Sequence, residues 1–144
     1  MIQRIQTLFL TITAGLLISM LFVPMVKFIG SDTVIRYIEY LPTATMLIVT
    51  IVLCITTIFS YKRRIFQIRV CNLNSLILLG FQIFLVVKFF TREPDMIYTI
   101  SAVFPIAGAI LTFIAMRYIA RDEALVMASN HLRPSKEEKK KKRK

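Results

Sequence analysis

Leu41-Pro-Thr-Ala-Thr-Met-Leu-Ile-Val-Thr-Ile-Val-Leu-Cys-Ile-Thr-Thr-Ile-Phe-Ser60 decides how the rest of the chain is read. No residue in this stretch carries a charge. As a helix rising about 1.5 Å per residue, it covers roughly 30 Å, the thickness of a bilayer's hydrocarbon core. Its many Ile, Val and Thr residues suit strands, but they show no strict alternation, and the run is about twice strand length. Pro42 suits the first turn of a helix. Three further apolar runs of the same kind lie at residues 7–26, 73–90 and 96–116. The expected fold is all-α, a four-helix transmembrane bundle. A cleaved signal peptide in place of the first run is disfavoured. Its apolar stretch exceeds the roughly 7–15 residues of a signal h-region, and no A-x-A-like site follows Val23.

The composition agrees. Of 144 residues, 56% are hydrophobic and 19% charged, whereas about a quarter are charged in a soluble domain. The charges also choose an orientation. Fifteen of the 19 Lys and Arg fall on one side, in Arg4, the 62–69 loop and everything from Arg117 onward. The other four, Lys27, Arg36, Lys88 and Arg92, are offset by Asp32, Glu39, Glu93 and Asp95. The side rich in positive charge is expected in the cytoplasm, which places both termini there. Tyr37, Tyr40, Tyr61, Tyr98 and Tyr118 all fall at span ends or in short loops, as interfacial tyrosines should.

Inside the spans, small and polar residues suggest how the helices meet. Thr11, Gly15 and Ser19 make a small face on the first span; Gly108, Thr112 and Ala115 make one on the fourth, and the two are expected to pack closely. Pro105 is expected to kink the fourth helix. Thr50, Cys54 and Thr57 share a face of the second helix, and Asn74, Ser75 and Gln82 a face of the third. An amide facing lipid is costly, so this polar face should point inward, as interhelical glue or as a polar site between helices two and three. Lys88, near a helix end, can snorkel to the surface. No acid or base lies mid-span, which argues against a proton-coupled transporter.

After the fourth span, residues 117–133 continue a helical pattern until Pro134 stops it. The 134–144 segment, rich in Lys, is expected to be disordered. Lys139, Lys140, Lys141, Lys142, Arg143 and Lys144 are expected to contact anionic lipid head groups. Contact with RNA, for example a ribosome, is the lesser alternative, because no aromatic residue is interleaved for base stacking. Catalytic chemistry finds little footing. His131 is the single histidine, and Cys54 and Cys71 form no CxxC pair, so the chain is expected to hold no metal and the thiols to stay reduced. The four glycines are widely separated, so no phosphate-cradling loop exists and no cofactor is expected. Asp122 and Glu123 are adjacent on a helix, so their side chains should diverge.

Met1-Ile-Gln-Arg-Ile-Gln-Thr7, Tyr61-Lys-Arg-Arg through Gln67-Ile-Arg-Val-Cys-Asn-Leu-Asn74, and Arg121-Asp-Glu-Ala-Leu-Val126 with Leu132-Arg133 together carry a resemblance. The chain up to Arg133 resembles a family of small bacterial four-span membrane proteins catalogued as domain of unknown function 4293. The resemblance implies a bacterial inner membrane and supplies no activity, cofactor or active residues. The extension after Pro134 falls outside it.

These shared motifs gather on the cytoplasmic side. Arg4, Arg64 and Arg69 are within reach of Asp122 and Glu123, and an ion-pair layer is the structural expectation. A docking surface for another membrane protein is the functional one. The expected function is therefore a non-enzymatic accessory or scaffold protein of the inner membrane. The alternatives are a small carrier or channel along the polar face, and contact with lipid or ribosome through the tail. The orientation has a direct check. A fluorescent protein fused after Lys144 should fluoresce and alkaline phosphatase fused there should be inactive, while fusions in the 91–95 loop should do the reverse. The opposite pattern would invert the topology.

Overall fold

The computed structural model describes residues 2–131. Four helices form the body: α1 Ile2–Phe22, α2 Leu41–Phe59, α3 Arg64–Phe90 and α4 Phe104–His131. All four are long and apolar enough to cross a membrane, and the chain is a multi-pass membrane protein. Each helix packs on two others in the ring α1–α2–α3–α4, with the α3–α4 and α1–α4 faces the most extensive.

The helical bundle carries an addition absent from the sequence expectation. Three short strands, β1 Pro24–Phe28, β2 Val34–Arg36 and β3 Met96–Tyr98, form one antiparallel sheet in the order β2-β1-β3. The sheet joins the α1–α2 and α3–α4 connections at one end of the bundle, the sheet side. The other end, where α1 begins and α4 finishes, is the terminal side. The first apolar run ends its helix at Phe22 because Pro24 cannot donate a helical hydrogen bond. Gly30, at φ +87°, turns the chain between β1 and β2. The Ile29 amide donates to Asp95 O and that of Thr99 to Met25 O, which ties the two connections together.

The fourth span also departs from expectation. Residues 96–98 belong to β3, and a single 3-10 turn, Ile100–Val103, precedes α4. Pro105 is thus the second residue of α4 and introduces no kink within it, because a first-turn proline lacks only an amide that has no helical partner anyway. The third helix begins at Arg64 rather than residue 73. At 27 and 28 residues, α3 and α4 are about 40 Å long, some 10 Å more than the hydrocarbon core. The expected disordered tail, with its lipid contacts from Lys139 to Lys144, lies outside the described residues.

Two apolar clusters fill the bundle. The larger, toward the sheet, joins Leu17 and Met20 of α1 to Leu47, Leu78, Phe81 and Leu85, and takes in Met25, Val26 and Tyr37. The smaller, toward the terminal side, consists of Leu10, Cys71, Ala115 and Ile119. Tyr37 is fully buried, its hydroxyl 3.0 Å from that of Ser101. It is a core residue, unlike the interfacial tyrosine expected. Burial pushes its phenol above the ordinary value; the Ser101 hydrogen bond opposes this and Tyr98 adds to it.

The packed face of α1 also differs from the expected one. Thr11 and Gly15 are exposed and Ser19 is only partly buried, whereas Leu10, Thr13, Ala14 and Leu17 face inward. On α4 the inward face is the expected Gly108, Thr112 and Ala115. A Cβ at Gly108 would sit 3.3 Å from Thr13 Cγ2, while one at Gly15 would meet nothing within 4 Å. Gly108→Leu should therefore destabilise the bundle by about 1–3 kcal/mol through overpacking, and Gly15→Leu should be near neutral. Thermal unfolding in detergent checks the contrast; equal shifts would mean that Gly108 does not mark the closest approach.

Candidate functional site

Two groups of residues bear on function: a polar girdle across the bundle and a charged layer on the terminal side. The girdle lies between the two apolar clusters. Each helix contributes to it: Thr13 from α1, Thr57 from α2, Asn74 and Ser75 from α3, and Thr112 from α4, all buried. Most of these groups bond within the bundle's backbone. Thr13 donates to Phe9 O at 3.0 Å, Thr57 to Leu53 O at 2.7 Å and Thr112 to Gly108 O at 2.8 Å. Such bonds to the carbonyl four residues back satisfy a hydroxyl where no water is available. Thr50 is likewise buried and bonded to its own helix, at 2.9 Å to Leu47 O.

The residues expected to share one face of α3 divide between two neighbours. Asn74 faces α2, where its amide donates to Cys54 Sγ at 3.1 Å. Ser75, one position on and about 100° around the helix, reaches Ala109 O of α4 at 3.4 Å. Gln82 also serves α4: its Oε1 accepts the Ile106 amide at 3.2 Å. That amide belongs to the first turn of α4 and has no helical acceptor, so a side chain from the adjacent helix caps it. Thr13 was missed in the sequence because its neighbour Thr11 fits the more familiar spacing with Gly15 and Ser19. Lys88 does not simply snorkel; its Nζ lies 5.2 Å from the Tyr40 ring centroid and 5.8 Å from that of Phe84.

The charged layer joins the start of α3 to the later part of α4. Arg64 Nη1 lies 2.8 Å from Asp122 Oδ2 and 3.9 Å from Glu123 Oε2. The two adjacent carboxylates thus reach one guanidinium from the same side of α4, contrary to the divergence expected of neighbours, because the long arginine stem extends to meet both. Nη1 meets no acceptor at a hydrogen-bonding angle, so the contact is Coulombic. The side chains are 29% exposed for Arg64 and 19% for Asp122, which leaves partial screening by solvent. Arg69 is exposed and, among the described residues, forms no ion pair. Arg4 lies within α1, but its side chain is outside the described residues.

These motifs place the chain among known sequences. Residues 2–132 match the family described as domain of unknown function, DUF4293. The chain belongs to that family. The match spans all four helices, the sheet and the charged layer, so the α3–α4 staple and the girdle lie wholly within the DUF4293 domain. Comparison with curated proteins and with solved structures finds no match.

The Arg64–Asp122 pair joins two helices at a half-wet end, where such pairs contribute about 0–1 kcal/mol. A double-mutant cycle of Arg64→Met and Asp122→Leu, read by unfolding in detergent, should give a coupling on the order of 0.5–1 kcal/mol that shrinks with added salt. A coupling of zero at low salt would show that the pair holds nothing together.

Proposed function

We propose that this DUF4293 chain is a non-enzymatic accessory or scaffold protein of the bacterial inner membrane, with both termini in the cytoplasm, that docks another protein at the start of α3. One observation carries the reading: how the charges divide there. Asp122 and Glu123 are engaged by Arg64, so Lys62, Arg63 and Arg69 are left as surplus. Beside them Ile65 and Phe66 are 53% and 47% exposed. Uncompensated cations next to apolar side chains suit a partner that presents acidic residues around an apolar anchor. The excess of Lys and Arg on this side supports its cytoplasmic placement. The threonine hydroxyls of the girdle, bonded to the bundle's own backbone, favour helix packing over a path for a solute. The basic tail adds attraction to anionic head groups, which would hold the docking surface close to the membrane.

Affinity purification in mild detergent with mass spectrometry tests the reading. The full chain and a chain ending at Arg133 should retain the same stoichiometric partner. Arg69→Glu should lose it while still inserting in the membrane, and the association should weaken with salt. A partner lost with the tail alone would move the function to residues 134–144. A partner kept by Arg69→Glu would exclude this surface.

A further inference from the structure

On the flank of Arg64 away from this surface lies a pocket of about 460 Å³, lined by Gln6, Leu8 and Thr11 of α1, Tyr61 of the α2–α3 turn, and Arg64 and Gln67 of α3. Gln6 is only 5% exposed, and its Nε2 has no hydrogen-bond partner among the described residues. A buried donor with no acceptor destabilises the protein that holds it. Here it lines a pocket that an acceptor can enter. Two further features give that acceptor a negative charge. Arg64 lines the same pocket. It also opens α3, whose N-cap Arg63 supplies no side-chain cap and whose first turn has no acid. Asp122 and Glu123 of α4 meet Arg64 Nη1, but no group of α3 itself compensates its first-turn amides or the positive end of its dipole, the arrangement that binds phosphate.

The surroundings identify the source of that phosphate. The pocket lies at the terminal end of two helices long and apolar enough to cross a membrane, a place that suits a ligand held at head-group level. Leu8, 57% exposed, stands at its rim. From there the small residues Thr11, Gly15 and Ser19 run along the outer face of α1, with open space over Gly15. This leaves a shallow track for an acyl chain.

We propose that this pocket binds the phosphate head group of an anionic phospholipid, with Gln6 and Arg64 as donors and one acyl chain laid along Thr11, Gly15 and Ser19. The site depends on the chain crossing a membrane and not on the docking surface, so either can fail without the other.

The chain has no tryptophan, so Leu8→Trp gives a single reporter at the rim. The full-length reporter in vesicles should be quenched more by brominated phosphatidylglycerol than by brominated phosphatidylcholine, with a relative affinity on the order of fivefold, the worth of one such charged contact. Adding Gln6→Glu, which turns the donor into a like charge, should bring the ratio to about one. Gln6→Leu should also lower it, yet should leave the unfolding temperature equal or higher, since it removes an unpartnered buried amide. A merely structural Gln6 would instead lose stability on that change. Inorganic phosphate in excess should not relieve the quenching; relief would overturn the lipid assignment and give the pocket to a soluble phosphate. A preference that survives Gln6→Glu, or no preference at all, would overturn the site.

Discussion

A polar group inside a bilayer must find its partner within the protein, and the interior of this bundle is arranged around that constraint. At the level of the girdle, where the four helices bring hydroxyls and an amide together, threonine hydroxyls turn back onto the carbonyl four residues earlier in their own helix. Such self-contained groups leave the helix faces free to approach. The approach is closest at Gly108, where a methyl of Thr13 occupies the space that a side chain would need. Threonine serves both ends at once, its hydroxyl satisfied by its own backbone and its methyl packed on the neighbour. The start of α4 shows the same rule applied across helices, with Gln82 of α3 capping the Ile106 amide.

The two ends of the bundle solve different problems. On the sheet side, three strands pair the backbone of both connections, and Tyr37 and Ser101 seal the junction beneath them. Lys88 and Arg92 are held there over aromatic faces, Arg92 at 4.5 Å from the Phe89 ring centroid. Charge at this end is thus tied down by local contacts. On the terminal side, among the described residues, no such sheet closes the structure. There α3 and α4 are stapled by Arg64 to Asp122 and Glu123, and cations, apolar side chains and an unpartnered amide face outward or into a surface pocket. The two ends thus differ: one is closed by its own backbone and ring contacts, and the other leaves cations and apolar side chains open.

The four crossings, their apolar lengths and the unequal division of charge were all legible in the sequence, because hydropathy and charge act through composition along a stretch and need no knowledge of neighbours. So was the inward face of α4, and the reach of Arg64 toward Asp122 and Glu123. The sheet was not legible. Its strands are three to five residues long, and β1 and β3 are as apolar as the spans they adjoin. Pro42 marked a helix start in the sequence, whereas the roles of Pro24 beside β1 and of Pro105 in the first turn of α4 emerged only in the structure. The small stripe on α1 misled for a related reason: spacing says that three residues share a face, and it does not say what that face looks toward.

Sequence alone thus determined that this is a four-span membrane protein with its basic residues gathered on one side, since both properties are sums over local segments. The tertiary structure decided which side of each helix is inside, that Asn74 and Ser75 serve different neighbours, and that Gln6 is buried beside Arg64 without a partner. Those are properties of how helices rotate and meet, set by the shapes of side chains far apart in the chain, and no reading of one segment at a time contains them.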